Sequence, residues 1–165
     1  MSKSGKDLQE AFAGESQANR KYLAFAKKAE EEGFTRVAKL FRAAAAAETV
    51  HAHNHLYEMA GVKTTKDNLE AAFNGEVFEF KEMYPRMIAD AREENNKGAL
   101  RTFTFANEVE KVHADLFKKA LESLDKSVAA TDYYVCQVCG NTVEGEPPDT
   151  CPVCGAKKQM FGKVD

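Results

Sequence analysis

The chain has no tryptophan, only four prolines in 165 residues, and no surplus of either charge, with 23 Lys and Arg against 26 Asp and Glu. Its longest uninterrupted apolar run is Ala43 to Ala47, far short of the roughly 18 to 20 residues that a membrane span needs. No membrane segment is expected. The first residues, Met-Ser-Lys-Ser-Gly-Lys-Asp, lack the apolar core of a secretory leader, so a cytoplasmic location is expected. Residues 1–130 hold 20 basic and 21 acidic residues, and residues 131–165 hold 3 and 5. Neither part offers a basic face to a phosphate backbone, so nucleic acid is not an expected partner. The length suits one domain of ordinary size with a small appendage and excludes a large multidomain enzyme.

What is present is placed unevenly. The four cysteines stand at 136, 139, 151 and 154, and the four histidines at 51, 53, 55 and 113. Thiols confined to one short tail of a cytosolic chain point to metal binding rather than disulfides, because cellular reductants keep thiols reduced.

Apolar residues recur at helical spacing in four segments. The first stripe runs through Leu8, Phe12, Tyr22, Phe25 and Ala29 and stops near Gly33. The second runs through Val37, Phe41, Ala44, Ala52 and Leu56 and stops at Gly61, a position suited to a left-handed cap. Residues 61–75, rich in Thr, Asp, Asn and Gly around Leu69, Ala72 and Phe73, read as a crossover connection with room for a helical turn or two. A third helix passes Phe80, Met83, Met87 and Ala91, and Pro85 within it removes a donor to the Lys81 carbonyl and should bend it. The fourth starts near Gly98 and carries Leu100, Phe103, Ala114, Phe117 and Leu124. Two short links and one longer crossover describe a ferritin-like four-helix bundle. Periodicity then fails from Asp125 to Thr131, a linker to a loop-rich tail that holds three of the four prolines.

Several carboxylates lie on the apolar stripes instead of the wet faces. Glu15 follows Phe12 by three residues, Glu48 and His51 align with Ala44 and Ala52, Glu76 and Glu79 flank the third stripe, and Glu110 and His113 sit between Phe103 and Phe117. Glu30, Glu31, Glu32, Glu93 and Glu94 fall in charged clusters, and Glu108 and His53 lie about 200° around their helices from Glu110 and His51, so these are read as solvated. His55 is read as lying beside the site or in solvent, not as a ligand.

Five inward carboxylates and two imidazoles would be costly to bury unpaired, and metal cations remove that cost. Glu-x-x-His twice, with an inward carboxylate from each other helix, is the ligand pattern of a di-iron or di-manganese site. One of Glu76 and Glu79 is surplus to the symmetric set, and a spare carboxylate opposite a histidine lets one iron change ligand with its charge. In the tail, Cys136-Gln-Val-Cys139-Gly140 and Cys151-Pro-Val-Cys154-Gly155 form two knuckles for one tetrahedral metal, zinc or iron by ligand type alone. A di-metal redox site beside them favours iron, since a one-electron Fe(Cys)4 centre delivers electrons and zinc does not.

The combination resembles the rubrerythrin family over essentially the whole chain. The resemblance rests on Gly14-Glu15 with Tyr22, on Glu48-x-x-His51, on Gly75-Glu76-x-x-Glu79 leading to Met83-Tyr84-Pro85, on Glu110-Lys111-Val112-His113, and on the closing rubredoxin-like knuckles. It implies a ferritin-like di-iron bundle over residues 1–130 and a rubredoxin-like Fe(Cys)4 domain over 131–165. The implied activity is a non-haem iron peroxidase that reduces hydrogen peroxide to water in oxidative-stress defence. By the same resemblance Glu48 and Glu110 bridge the irons, Glu15 holds one, Glu76 with His113 holds the other, and Glu79 and His51 exchange on the first. Tyr22 and Tyr84 match tyrosines that hydrogen-bond the carboxylates, or else pack the core.

The chain has no nicotinamide or flavin motif of its own, so the electrons are expected from an external donor, rubredoxin or an NAD(P)H-dependent reductase. Glu110 precedes Asp125 by 15 residues, about 22 Å of helix, so the tail is expected to leave its own di-iron site behind. A homodimer, head-to-tail or domain-swapped, would shorten the electron path. The rival readings are a ferroxidase or iron-handling protein, against which the rubredoxin-like tail argues, and a binding module with a zinc-ribbon tail.

Overall fold

A computed structural model describes residues 2–127 and 129–164. The chain is mainly helical, with four long helical rods followed by a small three-stranded sheet. It separates into two compact units, one ending at Lys63 and the other starting at Thr64. Among the described residues no helix is long and apolar enough to cross a membrane.

The first unit is a hairpin of α1 (Lys3–Glu31) and α2 (Thr35–Glu58). Ser2 caps α1 by accepting from the Gly5 N–H. Gly33, at φ +82°, ends it, and the Phe34 N–H closes back on the Ala29 carbonyl at 2.8 Å. The hairpin is tight because its seam is small: Ala26, Ala29, Ala38, Ala45 and Ala52 are its buried residues. Asn19 pins the two helices, its Nδ2 donating to the Ala45 carbonyl at 2.7 Å and to Thr49 Oγ1 at 2.9 Å. Tyr22, Phe25 and Phe41 form an aromatic cluster with centroids 5.6 to 6.4 Å apart.

At the end of α2 the left-handed residue is Ala60, at φ +51°, and not Gly61. Gly61 is needed for space, because a Cβ there would lie 2.4 Å from Leu56 Cδ1. Its N–H bonds the Leu56 carbonyl, the long closing bond of a Schellman cap.

The expected crossover over residues 61–75 is largely helix. α3 (Thr65–Phe78) begins as soon as Thr64 can cap it, accepting from the Asp67 N–H at 3.2 Å. Leu69, Ala72 and Phe73 are therefore the first turns of a helical stripe that leads to Glu76. α3 passes without a break into a π-helical turn, Glu79–Met83, and then α4 (Tyr84–Glu93). Pro85 explains that turn. It has no N–H for the Lys81 carbonyl, and the widened register lets the Tyr84 N–H reach Glu79 instead.

Asn95, at φ +55°, makes the next cap, and Asn96 opens α5 (Lys97–Ser123) by accepting from the Ala99 N–H. After Leu124 the chain turns back instead of running on. β1 (Tyr133–Cys136), β2 (Thr142–Glu144) and β3 (Phe161–Val164) pair antiparallel in the order β2-β1-β3 around Cys136, Cys151 and Phe161. The expectation that the tail leaves its own bundle ligands behind is thus incorrect. Thr142 on β2 lies within hydrogen-bond distance of His113 on α5, because the linker reverses the chain so that the small domain lies alongside the helix.

Candidate metal centre

In the first unit, Glu15 projects from α1, and Glu48 and His51 from one face of α2. Their ligand atoms converge, with His51 Nδ1 at 2.9 Å from Glu48 Oε2 and 3.8 Å from Glu15 Oε1. In the second unit, Glu76 on α3 and Glu110 and His113 on α5 repeat the pattern, with His113 Nδ1 at 2.7 Å from Glu110 Oε2 and 3.8 Å from Glu76 Oε2. Helical spacing of three residues makes each Glu–His pair, and the neighbouring helix adds the second carboxylate.

The second group carries the electrostatic mark of an unneutralised anion cluster. Burial raises the Glu76 carboxyl above its ordinary range, and the charge of Glu110 adds to it against the attraction of His113. Burial likewise raises Glu79, helped by Glu76. Tyr84 is raised by burial and by the charges of Glu110, Glu79 and Glu76. A cation among these oxygens would relieve all three effects.

Glu79 belongs to neither converging group of three, although its field reaches both Glu76 and His113. Tyr84 packs on Phe103 at 6.3 Å between centroids. Tyr22 packs within its aromatic cluster on α1 and α2. His53 and Glu108 are exposed, as is His51, and His55 is half-buried. A largely apolar cavity of about 480 Å³, lined by Leu69, Leu116, Phe117 and Val164, borders Glu76 and His113.

In the tail the four cysteines form a second cluster. Cys136 Sγ is 3.7 Å from Cys154 Sγ, and Cys139 Sγ is 3.6 Å from Cys151 Sγ. These are not disulfides; tetrahedral ligands about 2.3 Å from one metal stand roughly 3.8 Å apart, so the array fits a single ion. Gly140 and Gly155 take φ of +86° and +75° and close each knuckle onto the carbonyls of Cys136 and Cys151. Burial raises Cys136, but backbone N–H groups of Val138 and Cys139 outweigh it, and the thiol ends below its ordinary range. Burial pushes Cys139 up against the single Asn141 N–H. The donors turned toward sulfur are those that tune a thiolate-bound metal.

The family's sequence model, described as Rubrerythrin, matches residues 6–121, and a second model, the rubredoxin-like domain of rubrerythrin, matches residues 134–162. The chain belongs to the rubrerythrin family. Rubrerythrin-2 of Clostridium acetobutylicum is 39% identical, covering 93% of this chain and 92% of that one. Nigerythrin of Nitratidesulfovibrio vulgaris is 37% identical, over 94% of this chain and 83% of its own. Among solved structures, fully reduced, all-ferrous nigerythrin aligns with TM-score 0.60 at 33% identity, over 99% of this chain and 88% of that one. As a rubrerythrin-family chain, this protein carries ligands suited to a di-iron carboxylate site and a four-cysteine rubredoxin-like site.

The residue that sequence reasoning missed is Thr142. Nothing in the knuckle pattern singles it out, since its meeting with His113 depends on the reversal of the chain after Leu124.

Proposed function

We propose that this protein is a non-haem di-iron peroxidase that reduces hydrogen peroxide to two waters with two protons and two electrons. The observation that supports it most is the pair of matched Glu–Glu–His groups in one chain with a four-thiolate centre. A storage protein has no use for a built-in reductant, and a zinc module has no use for two matched Glu–Glu–His groups.

In this reading Glu15, Glu48, His51, Glu76, Glu110 and His113 would hold two irons, with Glu48 and Glu110 as the carboxylates available to both and Glu79 as the alternative ligand to His51. Iron held by these residues would supply the electrons and Lewis acidity that peroxide reduction needs. The carboxylates offset the cations' charge, and the apolar cavity beside Glu76 and His113 limits water. Tyr84, raised by burial and by the charges of the nearby carboxylates, keeps its proton and is the donor to them in this reading. Cys136, Cys139, Cys151 and Cys154 hold the iron that relays single electrons from an external donor, rubredoxin or an NAD(P)H-dependent reductase. The proposed domains are 1–130 and 131–165, a division that the extents of the two family matches support.

A homodimer belongs to this reading, on new grounds. In ferritin-like connectivity the α2-to-α3 link must cross the level of the ligands. Glu48 precedes the end of α2 by 10 residues and Glu76 follows the start of α3 by 11, so the link would have to climb about 31 Å at 1.5 Å per residue. The seven steps from Glu58 to Thr65 reach at most about 25 Å. A second copy's α1–α2 hairpin meets the requirement by domain swapping.

The test is to reduce the iron-loaded protein fully and mix it with hydrogen peroxide or with oxygen. Faster oxidation by peroxide is expected. Faster oxidation by oxygen would instead indicate a ferroxidase.

A further inference from the structure

Alanine makes the α1–α2 hairpin close but smooth. Ala26, Ala29, Ala38, Ala45 and Ala52 are its buried residues, and methyl groups give neighbouring helices no tall ridges to lock into one another's grooves. Apolar packing on such a seam resists separation better than it resists sliding. Metal ligands need resistance to sliding, since a coordinating set must be held to within about 0.5 Å of its working geometry.

The lock is polar and stands at the level of the ligands. Asn19 lies one turn beyond Glu15 on α1, and Ala45 and Thr49 belong to the turn of α2 that carries Glu48. Asn19 Nδ2 donates to the Ala45 carbonyl at 2.7 Å and to Thr49 Oγ1 at 2.9 Å, and Thr49 Oγ1 donates to the same carbonyl at 3.1 Å. Both amide hydrogens are thus engaged on α2, and the ring of three bonds closes in one register only. Asn19, Thr49 and Glu48 also line one cavity of about 230 Å³ in the hairpin.

The second Glu–Glu–His group is built differently. Counted from its glutamates, the places of Asn19 and Thr49 fall to Phe80 and Lys111, and Lys111 bonds Glu108 on its own helix. The Asn19 ring is therefore no by-product of the repeated ligand pattern.

We propose that Asn19 is a positioning residue for the metal site, its hydrogen bonds to Ala45 and Thr49 holding α1 against α2 in the register that brings Glu15 to Glu48 and His51. The inference rests on the ligand set of the di-iron reading and not on its peroxide chemistry. Without the ring the apolar seam remains, but Glu15 is free to shift along α2 with its helix. Groups that orient metal ligands from outside typically cost 10- to 100-fold in metal affinity when removed.

The experiment titrates the metal-free full chain with Fe(II) under anaerobic conditions, counts iron beyond the tail's one per chain as bundle iron, and separately records thermal unfolding without metal. Asn19→Leu should bind bundle iron at least about tenfold more weakly than wild type. Thr49→Val should bind it about threefold more weakly, the worth of one neutral hydrogen bond, and Thr49→Ser should match wild type. Ala29→Gly weakens the same seam away from the ring, so it should lower the melting temperature yet keep bundle affinity within about twofold of wild type. Wild-type affinity in Asn19→Leu overturns the proposal, and so does an equal loss of affinity in Asn19→Leu and Ala29→Gly at equal melting temperature. If Asn19→Leu does not fold, the Thr49 pair decides, and equal affinities in Thr49→Val and Thr49→Ser overturn it. A wild type that binds no iron beyond the tail's refutes the di-iron reading and the proposal with it. Failure of the peroxidase reading alone looks different: bundle iron binds with the predicted ranking of variants but does not react with peroxide.

Discussion

Glu110 Oε2 and His113 Nδ1 stand 2.7 Å apart on one face of α5, and Glu48 with His51 repeats the relationship on α2 at 2.9 Å. Each pair is joined by one carboxylate from the neighbouring helix, at 3.8 Å from the imidazole in both cases. Each unit presents the same Glu–Glu–His group, and that equivalence makes the assembly testable.

Glu48→Ala and Glu110→Ala should each lose bundle iron and peroxidase activity as pure proteins. Unfolded and refolded together in equal amounts, they should recover about a quarter of the wild-type activity, since half the dimers are mixed and each mixed swapped dimer holds one intact site of two. An unswapped dimer would recover nothing, because every site would keep its own lesion.

Cys139→Ser should remove the tail metal and the visible colour while the helices remain. The tail's core is small, with Cys136, Cys151 and Phe161 as its buried residues, so it depends on the metal for its fold. Iron should fall by one per chain, and limited proteolysis should cut beyond Leu124. A wild-type spectrum in the variant would show that one thiolate is dispensable.

With metal removed by chelation, stability should depend on the proton of Glu76. Burial and Glu110 raise its folded pKa above the ordinary 4.5, so the folded form holds a proton that the unfolded chain has released. That contribution is full below about pH 4.5 and is lost as pH rises through the raised value. Glu76→Gln should flatten the fall in melting temperature across this window. An equal slope in both proteins would rule Glu76 out as its source.

The cap of α2 separates two roles that glycine can play. Ala60→Gly should stabilise by about 0.5 to 1 kcal/mol, because a left-handed residue no longer carries a Cβ. Gly61→Ala should destabilise by about 1 kcal/mol or more, because the new Cβ meets Leu56. Chemical denaturation of the two variants should therefore shift in opposite directions.

The two Glu–Glu–His groups were legible because period and chemistry coincide: Glu15, Glu48, His51, Glu76, Glu110 and His113 recur at helical spacing within apolar stripes. The knuckles were legible because four thiolates at that spacing have one economical use. Residues 61–75 misled because Thr, Asp, Asn and Gly read as loop by composition, whereas Thr64 capping Asp67 and the stripe of Leu69 and Phe73 decide for helix. The cap at Gly61 misled because φ there depends on how the chain closes over Leu56, which is a matter of packing.

Local sequence thus determined the helices, the pairing of each glutamate with its histidine, and the four-cysteine cluster, since all of these are fixed by spacing within a few turns or a few knuckle residues. Tertiary structure alone decided that the linker reverses the chain and sets Thr142 against His113. That contact joins residues 29 apart in sequence, and no local preference specifies it; the fold of the small domain alongside α5 does.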